Sequence, residues 1–247
     1  MGGVLNSTVL SAGVNRKSAK PWGTRTTKAR YAALGHADSG RSNPLSRGAK
    51  RMLDVAIAAS GLVACAPLVA GAAIATKVLD PGPVFFAHER VGRDGRRFRC
   101  LKLRSMSVNG EGILAEHLAN DQEAAAEWAE TQKLRDDPRV SRWGRFLRKT
   151  SIDELPQLFN VLRGDMSIVG PRPVTEAELD RYRNQRRAYL SVRPGLTGPW
   201  QVSGRSSIGF QRRVALDTHY VKTWSLMKDI RLMAQTIPAV LGSRGSY

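Results

Sequence analysis

Asp153 and Glu154 stand side by side in Arg148-Lys149-Thr150-Ser151-Ile152-Asp153-Glu154-Leu155-Pro156-Gln157, and Gly170-Pro171-Arg172-Pro173 follows shortly after. An adjacent carboxylate pair bracketed by arginines suits a Mg²⁺-dependent reaction at phosphate. Metal and guanidinium groups can then share the substrate's negative charge. Ser151-x-x-Glu154 has the form of a helix capping box, which would give Glu154 a purely structural task. Pro156, comfortable only in a first helical turn, moves the cap toward Asp153. In either register both carboxylates sit at the positive end of a helix, where the macrodipole and free amides favour the ionised form. An ionised Asp can attack phosphorus or hold Mg²⁺.

Two stiff loops follow. Gly164-Asp165-Met166-Ser167 and Gly170-Pro171-Arg172-Pro173 present Arg172 from a rigid frame. A second run, Arg193-Pro194-Gly195-Leu196-Thr197-Gly198-Pro199-Trp200-Gln201-Val202-Ser203-Gly204-Arg205, carries two more arginines, and Gln201 lies between them. The guanidinium fork matches phosphate oxygens bidentately, and glycine lets backbone amides approach an anion closely.

These groups need elements to hold them. Leu155, Leu158, Phe159 and Leu162 mark one face of a helix from about Leu155 to Arg163, stopped by Gly164. Residues 111–135, rich in Ala, Glu, Leu and Gln, predict one helix. Further helices are expected at 174–190, 209–222 and 226–236, with Pro238 ending or bending the last. Val84–Ala87 and Arg97–Leu103 read as short strands around a glycine-rich turn, Gly92–Gly95. The fold class is therefore mainly α with a small β element. Neither an internal repeat nor a dinucleotide or P-loop fingerprint is present.

The 247-residue chain carries a formal net charge of +18. Residues 1–51 hold ten Lys/Arg against one acid, Asp38, which is half of the excess. Residues 1–48 lack apolar periodicity and read as a largely disordered basic tail. No apolar stretch of signal-peptide type follows the start methionine. Cys65 and Cys100 suggest neither a disulfide framework nor a zinc site, and a catalytic part facing the cytosol is expected. Such charge fits nucleic acid or anionic membrane lipids. No nucleic-acid-binding motif appears, so nucleic acid is not an expected partner.

Val55–Thr76 reads VAIAASGLVACAPLVAGAAIAT, without a charge, and favours the membrane. As one helix it would rise about 33 Å, enough to cross a bilayer core. Pro67 sits near its middle and should bend it. Lys50, Arg51 and Lys77 put cations at both ends, so the positive-inside rule assigns no direction. A bent helix over about 49–79, entering and leaving by one face, satisfies both observations; a spanning helix and a buried soluble helix are the alternatives. The basic, aromatic stretch Arg142–Lys149 could lie at the headgroups, each cation contributing about 1 kcal/mol near an anionic leaflet, or could be a solvated helix with two core aromatics.

KRMLDVAIAASGLVACAPLVA, ERVGRDGRRFRCLKLRSM, LRKTSIDELPQLFNVLRGDMSIVGPRP and RPGLTGPWQVSGR resemble, in that order, the bacterial sugar transferases. These are the monotopic phosphoglycosyl transferases, and the likeness runs over about residues 48–247. The ending SRGSY is most similar to the exopolysaccharide galactose-phosphate transferases. The resemblance implies a re-entrant membrane helix and a cytosolic catalytic domain over 80–247, at the inner membrane. It also implies a UDP-sugar donor, undecaprenyl phosphate as acceptor, Mg²⁺ as cofactor and UMP as product. Asp153 would attack the sugar-bearing phosphorus, and Glu154 would assist with Mg²⁺ or proton positioning. Arg148, Arg172 and Arg205 would bind phosphates or uridine, joined by Gln201, with Lys102 and Arg104 of KLRSM nearby. Ala66 departs from the serine that members of this family often carry before the membrane proline. The residues do not choose between galactose and glucose. They assign no task to the acidic insert near 107–136 and no oligomeric state, a homodimer included.

Overall fold

The computed structural model describes residues 44–131, 134–204 and 208–241. Most of the basic tail (1–43) and Arg205 lie outside the described residues. Residues 44–48, grouped with the tail on composition, are instead the opening of the first helix.

That helix, α1 (Pro44–Leu79), runs unbroken through Pro67 for 36 residues, a rise of about 54 Å. It is long and apolar enough to cross a membrane. Residues on both sides of Pro67 pack on one domain. Below it, Ala58 is fully buried, Ile57 and Leu62 join the main core, and Gly61 leaves room for Leu158. Beyond it, Ala72 is buried with Leu103 and Leu147, and Trp143 donates its Nε1–H to Thr76 Oγ1 at 2.9 Å. Between them Val63 is 79% exposed and Leu68 50%.

An antiparallel hairpin follows, β1 (Phe85–Val91) and β2 (Arg97–Leu103), in register from Phe85↔Leu103 to Val91↔Arg97. The expected single helix at 111–135 is two, α2 (Gly110–Asn120) and α3 (Gln122–Thr131). Asp121 breaks it: its backbone is extended, and its carboxylate accepts from the Ala124 N–H. A polar side chain offering its own acceptor competes with the helix ladder.

The helix α4 (Arg142–Thr150) is capped by Ser141, whose hydroxyl accepts from the Gly144 N–H at 3.0 Å. Its Leu147 is fully buried, while Phe146 stacks on Trp143 and stays 48% exposed. Only one of its two aromatics is thus a packing residue. Next come α5 (Gln157–Arg163) and β3 (Ser167–Val169), and Gly164 stops the helix at φ 85. The stretch expected as one helix over 174–190 is α6 (Glu176–Asp180), a 3-10 turn at 183–185 and α7 (Arg186–Leu190). Then follow β4 (Gly195–Thr197), the one-turn helix α8 (Pro199–Val202), α9 (Phe210–Lys222) and α10 (Leu226–Leu241). Pro238 lies inside α10 and does not end it.

The main core joins α1, β2, α5, β3 and α9 through Ala58, Phe98, Cys100, Val161, Met166 and Tyr220. A second cluster of Val91, Val174, Leu179, Tyr182, Tyr189 and Leu190 supports the hairpin from the other side.

Candidate active site

The chain reaches Asp153 through a turn. Helix α4 ends on Ser151, which takes the left-handed conformation at φ 58, ψ 17. A 3-10 turn, Ile152–Glu154, then leads through Leu155 and Pro156 into α5. A non-glycine residue held left-handed costs about 1–2 kcal/mol and is the kind of local strain that collects at functional sites. The capping box expected from Ser151 does not form. Ser151 makes no side-chain cap bond because it is already the C-cap of α4. The capping box lies instead at Thr175 and Glu178, at the start of α6.

Asp153 is 5% exposed and Glu154 half-buried. Burial pushes the Asp153 carboxyl up from 3.8 to about 6, with Lys102 pulling it down, Glu154 pushing it up, and Arg148 and Arg172 pulling it down. The expectation that a helix start would favour its charge is corrected. Loss of water outweighs the local amides.

Strand β2 and helix α5 set the facing cation. Phe98 and Cys100 point into the core, and Lys102, two residues on, continues that face toward the carboxylates. Its ammonium donates to Glu154 Oε1 at 2.7 Å and lies 4.0 Å from Asp153 Oδ2. Asn160 fastens the two elements together. Its Oδ1 accepts from the Leu101 N–H at 3.0 Å, and its Nδ2 donates to the Arg99 carbonyl at 2.9 Å.

The two arginine-bearing loops, separate in sequence, are stitched by a parallel pair, Ser167↔Gly195 and Val169↔Thr197. Gly170 N–H donates to the Thr197 carbonyl at 2.9 Å, and Gly195 N–H to that of Pro171 at 2.8 Å. A Cβ on Gly198 would stand 2.0 Å from the Gly170 carbonyl oxygen, so only glycine fits this approach. The junction carries Arg172 to 3.7 Å from Glu154 Oε1, with its guanidinium 5.2 Å from the Trp200 ring centre.

Behind Arg172 lies a buried charge cluster that sequence reasoning missed. Arg213, 6% exposed, lies 5.2 Å from the same Trp200 ring. It faces Glu178 at 3.3 Å and Asp217 at 3.8 Å, and Glu178 also meets Arg90 at 3.0 Å. Tyr182 donates its hydroxyl to Asp217 at 2.8 Å, and burial lifts the Asp217 carboxyl to about 6. In sequence, Arg213 and Asp217 have the i,i+4 spacing of an ordinary surface pair, so nothing marks them as buried.

The remaining candidates separate. Arg148 is half-buried on α4 and acts electrostatically on Asp153. Gln201 is buried, its amide 3.5 Å from the Leu196 carbonyl. Arg104, expected to bind substrate, is engaged by the loop after α1. It donates to the carbonyls of Pro83 (2.6 Å) and Asp80 and pairs with the Asp80 carboxylate at 3.0 Å. Pro67 lies within α1, away from these groups in sequence.

Asp153 and Glu154 form a hard-oxygen pair of the kind Mg²⁺ accepts. Among the described residues no third acidic, His or Cys group completes a cage. That fits an ion bound through one or two carboxylates, with water and phosphate oxygens supplying the rest.

The sequence profile of one family, described as bacterial sugar transferase, matches residues 45–243. The chain is 49% identical over 210 residues to the exopolysaccharide production protein ExoY of Sinorhizobium fredii, covering 85% of this chain and 93% of that one. It is 48% identical over 203 residues to the undecaprenyl-phosphate galactose phosphotransferase of Salmonella typhimurium, covering 82% of this chain but 42% of the relative. With the UDP-glucose:undecaprenyl-phosphate glucose-1-phosphate transferase of Caulobacter vibrioides it shares 42% identity over 206 residues, 80% of this chain and 72% of that protein.

Proposed function

This chain belongs to the bacterial sugar transferase family, and on that premise we propose that it moves a sugar 1-phosphate from a UDP-sugar to undecaprenyl phosphate, releasing UMP. The observation that carries the reading is the buried Asp153 carboxylate, backed by Glu154 and faced by Lys102, with Arg172 and Arg148 on its flanks.

Burial strips water from the carboxylate that must attack, which suits a nucleophile. Asp153 adds one oxygen to the sugar-bearing phosphorus, and the bond from that phosphorus to the UMP oxygen breaks. An ionised oxygen of undecaprenyl phosphate then attacks the aspartyl phosphosugar, and the Asp153 carboxylate leaves. Neither step needs a net proton transfer, and one pyrophosphate linkage replaces another, so no ATP is consumed. Lys102 and Arg172 neutralise the charge gathering at phosphorus, and Arg172 is held in place by Trp200. Mg²⁺ held by Asp153 and Glu154 would polarise the phosphate oxygens.

The re-entrant reading of α1 is part of this proposal. Residues before and after Pro67 rest on the same domain, as expected of a helix that returns to the face it entered. The catalytic domain then works at the cytosolic face of the inner membrane, beside the lipid phosphate. Galactose is our choice of sugar, because the Salmonella relative is named for it; the name of the Caulobacter relative supports glucose as the second reading.

The test is nucleotide release by membrane-bound protein with undecaprenyl phosphate and Mg²⁺, comparing UDP-galactose with UDP-glucose. UMP from UDP-galactose alone is the expected result. UMP from UDP-glucose alone would change the sugar, and UDP release would replace the mechanism with ordinary glycosyl transfer.

A further inference from the structure

At the opposite end of α5 from Asp153 lies a cavity of about 130 Å³. One water needs about 10–15 Å³ measured the same way, so there is room for a larger guest. The first turns of α1 form one wall and supply Arg47 and Arg51; Arg93 and Arg193 come from the hairpin turn and the start of the second arginine loop.

Among the described residues three acids are near, Asp54, Asp94 and Asp229, and all are engaged. Asp54 Oδ1 accepts from Ser167 Oγ at 3.0 Å and from the Ile168 N–H at 2.9 Å. Asp229 accepts from Lys50 at 2.6 Å, Tyr220 at 2.6 Å and Trp224 at 3.0 Å. Arg51 and Arg193 meet backbone carbonyls here, not carboxylates. Arg51 donates to the carbonyls of Val161 (2.7 Å) and Leu162 (3.0 Å), and Arg193 to that of Gly164 (2.7 Å). Arg93 is exposed, bonded to Asp94 at 3.2 Å. Burial, then Arg93 and Arg51, depress the Arg193 guanidinium, with Asp54 and Asp94 opposing.

We propose that this cavity binds a phosphate group, at a site separate from the phosphates that react at Asp153. Guanidinium groups converging on an open space are the arrangement that takes phosphate through charge-assisted, bidentate bonds. The cavity lining includes Arg51, four residues before the uncharged run that starts at Val55, which is headgroup level if α1 enters a bilayer there. The phosphate of an anionic phospholipid therefore reaches it naturally; a free phosphate ester would satisfy the same groups.

The experiment uses the full chain in detergent micelles, titrated with dihexanoyl phosphatidylglycerol, dihexanoyl phosphatidylcholine or glycerol 1-phosphate, with thermal midpoint as the readout. Phosphatidylglycerol should raise the midpoint saturably. Arg93→Gln and Arg193→Gln should each weaken it about tenfold, the effect of losing one charged hydrogen-bond partner. Arg212→Gln, an equal charge loss at an exposed position on α9, should leave it unchanged. Asp153→Asn should also keep it, so the cavity stands or falls independently of the transferase reading. An equal response to glycerol 1-phosphate would assign the site to free phosphate esters. No saturable response, a response equal with phosphatidylcholine, one surviving both cavity variants, or one lost equally in Arg212→Gln would overturn the proposal.

Discussion

The two ends of α5 handle charge in opposite ways. At its start, Asp153 and Glu154 meet Lys102 and Arg172 within 4.0 Å, so positive and negative groups are interleaved and largely desolvated. At its end, Arg51 and Arg193 bond carbonyls, and the cavity before them is lined with arginine. A group that must attack phosphorus needs cations beside it to admit the substrate, yet must stay bare enough to react. A group that holds phosphate needs instead several cations lining one open space. One seven-residue helix lies between the two arrangements, and its last carbonyls take the Arg51 guanidinium.

The most severe break of this contrast is Asp153→Asn. Turnover should fall by at least about a thousandfold, as for loss of a nucleophile, while membrane binding is kept. Retained UMP release would remove Asp153 from its role.

The same variant should be more stable than the parent once EDTA removes divalent ions. A carboxyl raised from 3.8 unfolded to about 6 folded makes its ionised form a liability. That cost is absent below about pH 4, grows between pH 4 and 6, and levels off above, at on the order of 3 kcal/mol. Chemical denaturation at pH 7.5 and pH 4 checks it. A gain that did not shrink at pH 4 would point to a different cause.

Asn160→Leu cuts the bonds that tie α5 to β2 at Leu101 and Arg99. A loss of about 2 kcal/mol is expected from two unpaired backbone groups, together with a lower kcat as Lys102 drifts from the carboxylates. Normal kcat in a destabilised variant would mean that Lys102 is positioned by other means. The mildest change is Arg51→Gln, which removes charged bonds to two closing carbonyls and should cost about 1 kcal/mol by the same measurement, with kcat unaffected.

Much of this contrast could be read in the sequence at one end of α5 and little at the other. Asp153, Glu154 and Arg172 were legible because adjacent acids and Pro/Gly-framed arginines are local patterns. Gly164 correctly stopped α5, the second strand and the helix at 209–222 were legible, and the first strand, expected at 84–87, runs on to Val91. The parallel pairing of Ser167–Val169 with Gly195–Thr197 was not legible, since three-residue strands carry no periodic signal. Ser151 misled because a C-cap and an N-cap can share one serine. In the KLRSM stretch Lys102 on β2 reaches the carboxylates, while Arg104, just past the strand, turns to Asp80, a difference that the two cations' spacing alone does not reveal. The cavity draws Arg47, Arg51, Arg93 and Arg193 from three distant stretches, so only folding assembles it.

One contact ties the reacting group to the depth of the apolar helix. Trp143, in the first turn of α4, is bonded to Thr76 near the far end of α1, and the same α4 runs directly into Ser151 and Asp153. Helix α4 thus joins the apolar helix at one end and the turn carrying Asp153 at the other. On the proposed reading, the depth at which α1 rests in the membrane is linked through α4 to the position of Asp153, which faces the lipid-borne phosphate.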